Sequence, residues 1–170
     1  MMTINPPLFS IADKFGKQHR VVLFDNTFKG RLLFFYGQFE PKGAFLGLPP
    51  VHKADLTAWL ERILDEWRNF LILCEDKISG HVALDCFHNP RSFELMIFIH
   101  QDHRFRGVGT GVLAGLKDLL SNQESREIWL VVQNSNIPAV KCFQKVGFAF
   151  MGPIAAEREM VCHLQKVGLQ

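Results

Sequence analysis

Apolar and polar positions along this chain switch between two periods, and the switches divide it into elements. From Lys53 to Arg68, apolar Leu56, Leu60, Ile63, Leu64 and Trp67 fall at i, i+4, i+7, i+8 and i+11, the stripe of an amphipathic helix. Phe70-Leu-Ile-Leu-Cys-Glu75 then reads as a strand, Asp76 to Gly80 as a turn, and His81-Val-Ala-Leu-Asp-Cys-Phe87 as the returning strand of a hairpin. His88-Asn-Pro-Arg91 turns the chain into an apolar run from Phe93 to Ile99. A polar, basic turn follows, then Gly107-Val-Gly-Thr-Gly111, then apolar residues at helical spacing as far as Leu120. That order is strand, glycine loop, helix.

Downstream, the pattern predicts a strand over Glu127–Val132, a helix over Pro138–Val146, a strand over Phe148–Gly152 and a last strand over Arg158–Leu164. Upstream, Pro6, Pro7 and Gly16 make residues 1–19 an irregular lead-in to a short strand, His19–Asp25. A first helix runs from about Lys29 to Phe39 and is stopped by Glu40-Pro41-Lys42-Gly43. The connection Ala44–Val51 carries Phe45, Leu46 and Leu48, too apolar for an ordinary exposed linker; it either docks on its own core or faces a substrate or a second copy. A parallel crossover between antiparallel flanks makes the class mixed α+β.

Composition narrows the picture. The 170 residues suffice for one domain, 1–170, and are short for two. An apolar fraction of 48% with 16 phenylalanines excludes disorder, and no run approaches the ~20 apolar residues that span a bilayer, so no membrane is expected. Net charge +2 without a basic stripe gives no case for nucleic acid. Met-Met-Thr-Ile-Asn-Pro-Pro lacks the regions of a signal peptide, which predicts a cytoplasmic protein. Cys74, Cys86, Cys142 and Cys162 stand singly in apolar stretches, the pattern of buried reduced thiols, and no metal is expected.

The chemistry centres on the glycine loop. A helix opening on Gly107, Gly109 and Gly111 presents backbone N–H groups and the positive end of its dipole, with Arg104 and Arg106 alongside. That suits a pyrophosphate, or it is a helix-opening turn that binds nothing. A P-loop is excluded because Val112, not Lys and Ser or Thr, follows Gly111, and Gly107-Val108-Gly109-Thr110-Gly111-Val112 has the wrong spacing for a dinucleotide fingerprint.

Arg104-Phe105-Arg106-Gly107-Val108-Gly109 resembles the Gln/Arg-x-x-Gly-x-Gly/Ala acyl-CoA motif of the GCN5-related N-acetyltransferase (GNAT) family. Asn136-Ile-Pro-Ala-Val-Lys-Cys-Phe143-Gln-Lys-Val-Gly-Phe148 is similar to that family's Asn-x-x-Ala-x-x-Leu-Tyr-Glu-Lys-x-Gly-Phe segment, in register and at the usual distance. The resemblance covers roughly residues 71–153. It implies six to seven strands with a parallel splayed pair in the middle, about four helices, and acetyl-CoA as cosubstrate on Arg104 through Gly111. It further implies backbone contacts of the pantetheine arm at Ile97, Phe98 and Ile99, and a cofactor contact at Asn136, which also suits a helix N-cap.

Amide formation needs a base for the ammonium proton. Glu94 shares a strand face with Met96 and Phe98, and apolar neighbours raise a carboxylate pKa toward working pH; the alternative is a carboxylate pointing into water. Its position thirteen residues before Gly107 resembles the glutamate of bacterial protein-lysine acetyltransferases. His81, on one strand face with Asp85, is a second candidate, as a proton relay. Phe143 stands where the family's acidic tyrosine falls, and the one tyrosine in the chain is Tyr36, in the first helix. The expected function is direct acetyl transfer from acetyl-CoA to a primary amine of unidentified kind, in a possible homodimer. The alternative, motivated by Phe143, is a non-catalytic acyl-CoA-binding module that regulates a partner protein.

Overall fold

The computed structural model describes residues 6–43, 48–121 and 126–164. These residues form one eight-stranded sheet: β1 Phe9–Ala12, β2 Gln18–Leu23, β3 Arg68–Cys74, β4 Lys77–Asp85, β5 Ser92–Ile99, β6 Glu127–Gln133, β7 Ala149–Phe150 and β8 Glu157–His163. Four α-helices cover it: α1 Lys29–Gln38, α2 Lys53–Glu66, α3 Val108–Ser121 and α4 Ile137–Lys145. Strand order is β1-β2-β3-β4-β5-β6-β8-β7. All neighbours are antiparallel except β5 and β6, the pair that α3 joins as a crossover.

Burial on both faces explains why the central strands read as continuous apolar runs. On one face α3 and α4 set Val112, Leu113, Leu116, Val140 and Phe143 against Phe70, Ile72, Val82, Leu95 and Leu130. On the other, α1 and α2 set Leu32, Phe35, Tyr36 and Leu60 against Leu71, Leu73 and Phe98. Phe93, Leu95 and Ile97 join the first core and Met96 and Phe98 the second, so Glu94 faces the α2 side, as its alternation with them requires.

Three details differ from the sequence reading. Residues 1–19 are not all lead-in, because Phe9-Ser-Ile-Ala12 adds an edge strand against β2, and the sheet has eight strands where six to seven were expected. Four residues are too few for a legible period, but Phe9 and Ile11 pack onto α3, and that packing holds the strand. Gly80 is not a turn residue: the hairpin turns at Glu75 and Asp76, both with positive φ, while Gly80 lies inside β4, where a Cβ would sit 2.7 Å from Ile72 Cδ1 and from the Phe98 carbonyl oxygen. The strand expected over Phe148–Gly152 is only Ala149–Phe150. Residues 44–47 of the apolar connection lie outside the described residues.

The glycines of α3 carry β1. A Cβ on Gly111 would lie 2.9 Å from Ile11 Cδ1, and one on Gly115 would lie 2.3 Å from Phe9 Cε2. Gly115→Ala should therefore lower stability by about 1–3 kcal/mol through overpacking. Gly30→Ala in α1, where a Cβ meets nothing within 4 Å, should raise it by about 0.5–1 kcal/mol. Urea unfolding of the two variants checks the pair, and equal effects would contradict the packing described.

Candidate active site

The parallel pair is short. Ser92, Phe93 and Glu94 pair with Glu127, Ile128 and Trp129, after which β5 continues to Ile99 along β4 and β6 continues to Gln133 along β8. Past Glu94 the two strands part. Ile97, Phe98 and Ile99 pair on one side with Val82, His81 and Gly80, which leaves their other side toward the opening. On that side the Ile99 carbonyl accepts from Arg104 Nε at 2.8 Å, and the remaining peptide groups need a partner other than β6, which an extended ligand can supply.

The opening leads to the start of α3. Phe105 and Gly107 both have positive φ, +60° and +87°, and this turns the chain into the helix that begins at Val108, whose first N–H groups have no carbonyl partner within the helix. Gly109 fits where a Cβ would be 3.3 Å from Cys142 Sγ, and Thr110 Oγ1 lies 3.4 Å from the same sulfur. Arg106 stays partly exposed beside this helix start, while Phe105 is exposed.

Two residues of the predicted loop do other work. Arg104 is half-buried: its Nε donates to the Ile99 carbonyl at 2.8 Å, its Nη2 donates to the Glu40 carbonyl, and its guanidinium lies 4.9 Å from the Phe39 ring centre. It fastens the end of α1 to the end of β5 and is not directed at the helix start. Gly111 gives room to Ile11, and its N–H donates to the Gly107 carbonyl at 2.9 Å. Asn136 caps α4, its Oδ1 accepting from Ala139 N–H at 3.3 Å. Phe143 is buried against Phe148 with ring centres 5.7 Å apart.

Glu94 stands at the point of parting. It lines a cavity of about 320 Å³ with Trp59, Arg62, Ile63, Glu66, Trp67, Asp85, His88 and Met96. Burial first, then the charges of Asp85 and Glu159, push its carboxyl above the usual range. Asp85 is its cross-strand partner, and His88 Nδ1 lies 2.5 Å from Asp85 Oδ2. The sequence pattern pointed to Glu94. It missed Trp59, Glu66 and Trp67, whose only signal was a helix that presents two tryptophans.

His81 is not placed for a relay, because it is fully buried between two helices' worth of side chains and the sheet. Asn69 Nδ2 donates to the Ile63 and Trp67 carbonyls, so Asn69 Oδ1 accepts from His81 Nε2–H at 3.0 Å. His81 Nδ1 is then bare and accepts from the Tyr36 hydroxyl at 2.6 Å. Both groups are spoken for, which also removes Tyr36 as an acid. Burial holds the imidazole neutral, its pKa lowered to about 3.

The chain belongs to the Acetyltransferase (GNAT) family, which it matches over residues 36–148, more than half its length. The fold agrees with solved structures in that class. The GNAT domain of S. lividans PAT superposes with TM-score 0.75 at 15% identity, covering 92% of this chain and 96% of that one. The ribosomal-protein-S18-alanine N-acetyltransferase from Escherichia coli gives TM-score 0.68 at 17% identity, covering 88% and 96%. Aminoglycoside acetyltransferase AAC(6')-Ib in complex with coenzyme A gives 0.67 at 17%, covering 85% and 94%. In sequence, 50 residues are 34% identical to the streptothricin acetyltransferase of Streptomyces lavendulae; they span 29% of this chain and only 26% of that enzyme.

His81 generates a pH prediction. Its folded pKa lies below the ordinary 6.5, so in acid the unfolded chain takes up a proton that the folded chain refuses. Stability present above pH 6.5 should be lost progressively as pH falls toward about 3, and in His81→Gln this part of the slope should flatten. Denaturant titrations of both proteins over that range measure it; parallel pH curves would contradict a buried neutral imidazole.

Proposed function

We propose that this chain is an acetyl-CoA-dependent N-acetyltransferase that moves acetyl directly to a primary amine, with Glu94 as general base. The carrying observation is the place of Glu94: half-buried, at the last β5–β6 pair, and in the wall of a cavity between α2 and strands β4 and β5. A family fold supports the cosubstrate, and two solved family members were determined with coenzyme A or acetyl-CoA.

In this reading the pyrophosphate sits on the N–H groups at Gly107, Val108, Gly109 and Thr110, with Arg106 adding charge. The pantetheine arm runs along Ile97, Phe98 and Ile99 in the opening and brings the thioester beside Glu94. Glu94 takes a proton from the acceptor ammonium; the freed amine attacks the thioester carbonyl, the C–N bond forms, the C–S bond breaks, and the second proton of the now cationic nitrogen passes to solvent. Coenzyme A leaves as a thiolate. Phe143 has no proton to give and Tyr36 is locked to His81, so solvent protonates the thiolate.

The cavity favours a cationic acceptor. Glu66, Asp85 and Glu94 give it acidic walls against Arg62 and His88, and Trp59 and Trp67 offer aromatic surface to an alkylammonium. Catalysis needs Glu94 ionised, so kcat/KM should rise with pH through an acid limb above the ordinary carboxylate range.

Release of free thiol from acetyl-CoA in the presence of pooled amines tests the reading. Glu94→Gln should lower kcat/KM by roughly 10²–10⁴ while acetyl-CoA still raises the melting temperature. Asp85→Asn should move the acid limb to lower pH, because it removes a negative charge that holds the Glu94 proton. Unchanged turnover in Glu94→Gln would remove it as base. Binding of acetyl-CoA without thiol release from any amine, together with a co-purifying partner, would instead favour a regulatory module.

A further inference from the structure

Where β1 ends and the turn before α3 begins, three side chains from three separate segments meet, with a fourth, Asp13, against one of them. His19 lies in β2 and Cys74 at the end of β3, and the register that sets Arg20 against Leu73 carries His19 to Cys74. His103 comes from the turn after β5, and its ring meets the His19 ring edge-on with centres 5.3 Å apart. One ligand atom each from His19, Cys74 and His103 all fall within 4.8 Å of one another. Asp13 Oδ2, its side chain fully buried, stands 3.6 Å from His19 Nε2.

Hydrogen bonding makes this cluster unusual. Ser79 Oγ donates to the Ile72 carbonyl at 3.1 Å, so it accepts from His19 Nδ1–H at 3.0 Å. In that tautomer His19 Nε2 carries a bare lone pair, and it faces a carboxylate oxygen. Asp13 Oδ2, His19 Nε2 and His103 Nδ1 are each buried without a hydrogen-bond partner among the described residues. Burying three such atoms together is costly unless something links them. The nearest cation, Arg106, has Nη1 3.9 Å from Asp13 Oδ2, too far for a hydrogen bond.

We propose that His19, Cys74 and His103 form a site for a transition metal of the zinc class, with the carboxylate of Asp13 beside it. The donors are two imidazole nitrogens and one thiolate, all ligands that zinc takes in tetrahedral geometry, and the fourth position is open to Asp13 or to water. Bonds of about 2.0–2.3 Å place tetrahedral ligands roughly 3.3–3.8 Å apart, so the three ligand atoms, already within 4.8 Å of one another, close on an ion with side-chain movements of about 1 Å. A thiolate and a carboxylate neutralise the dication, and the Cys74 proton is released on binding. Ser79 orients His19 through its other nitrogen, as the outer partners of metal-bound histidines do. His103 is the partly exposed member and gives the ion its way in.

The site is structural and independent of any acetyl acceptor. It joins β2, β3, the β1 turn and the turn that feeds α3, and Lys14 N–H already donates to the Arg106 carbonyl at 2.9 Å beside it. An ion there would fix the segment that leads into Gly107.

The full-length protein, incubated with excess zinc and dialysed, should hold one equivalent by elemental mass spectrometry and melt at a higher temperature than after chelation. Reconstitution with cobalt(II) should give the intense ligand-field bands of a four-coordinate ion and a thiolate charge-transfer band. Cys74→Ser should abolish the charge-transfer band and Cys86→Ser should keep it; His103→Gln, at a partly exposed position, should weaken zinc binding at least tenfold even if Cys74→Ser folds poorly. No bound zinc above background with no cobalt bands would overturn the proposal. So would a charge-transfer band that survives Cys74→Ser, or undiminished binding in His103→Gln.

Discussion

The structure depends on a limit to one strand pairing. β5 and β6 share three residue pairs and then separate, each held along its other edge by a long antiparallel partner. A continuous sheet would satisfy every backbone group and bury the site. By parting at Glu94 the sheet leaves one edge of β5 without a strand partner and puts a carboxylate at the fork, on the face that α2 covers.

Packing on the far face supports the geometry. Gly109 lets α3 lie close to Cys142, and Gly111 and Gly115 admit Ile11 and Phe9 of β1. The same glycine cluster thus opens α3 and seats an edge strand against it. On the near face, the chain Asn69–His81–Tyr36 satisfies each buried polar atom in turn and fixes α1 to the sheet. Arg104 extends that attachment to the end of β5.

Much of this was legible in the sequence because it is local. The stripe on α2, the apolar run of β5 and the glycines at 107 and 109 each declare themselves within a dozen residues. What was not legible is set by partners far along the chain. Phe9–Ala12 is too short to show a period, and only α3 makes it a strand. Arg104 looked like a phosphate ligand by motif position, yet Glu40 and Phe39, more than sixty residues earlier in the chain, claim it. Gly111 looked like part of a phosphate cradle and serves Ile11. Asp13, His19, Cys74 and His103 have no metal-ligand spacing at all, since four segments bring one residue each.

The central claim is that a thioester carrier lies in the fork between β5 and β6, with its diphosphate at the start of α3. A crystal structure of the protein with coenzyme A tests it most directly. The account predicts diphosphate oxygens within hydrogen-bonding distance of main-chain N–H groups at Gly107–Thr110, and a pantetheine arm along Ile97–Ile99 that ends near Glu94. Coenzyme A bound elsewhere, with the fork closed by side chains, would contradict it.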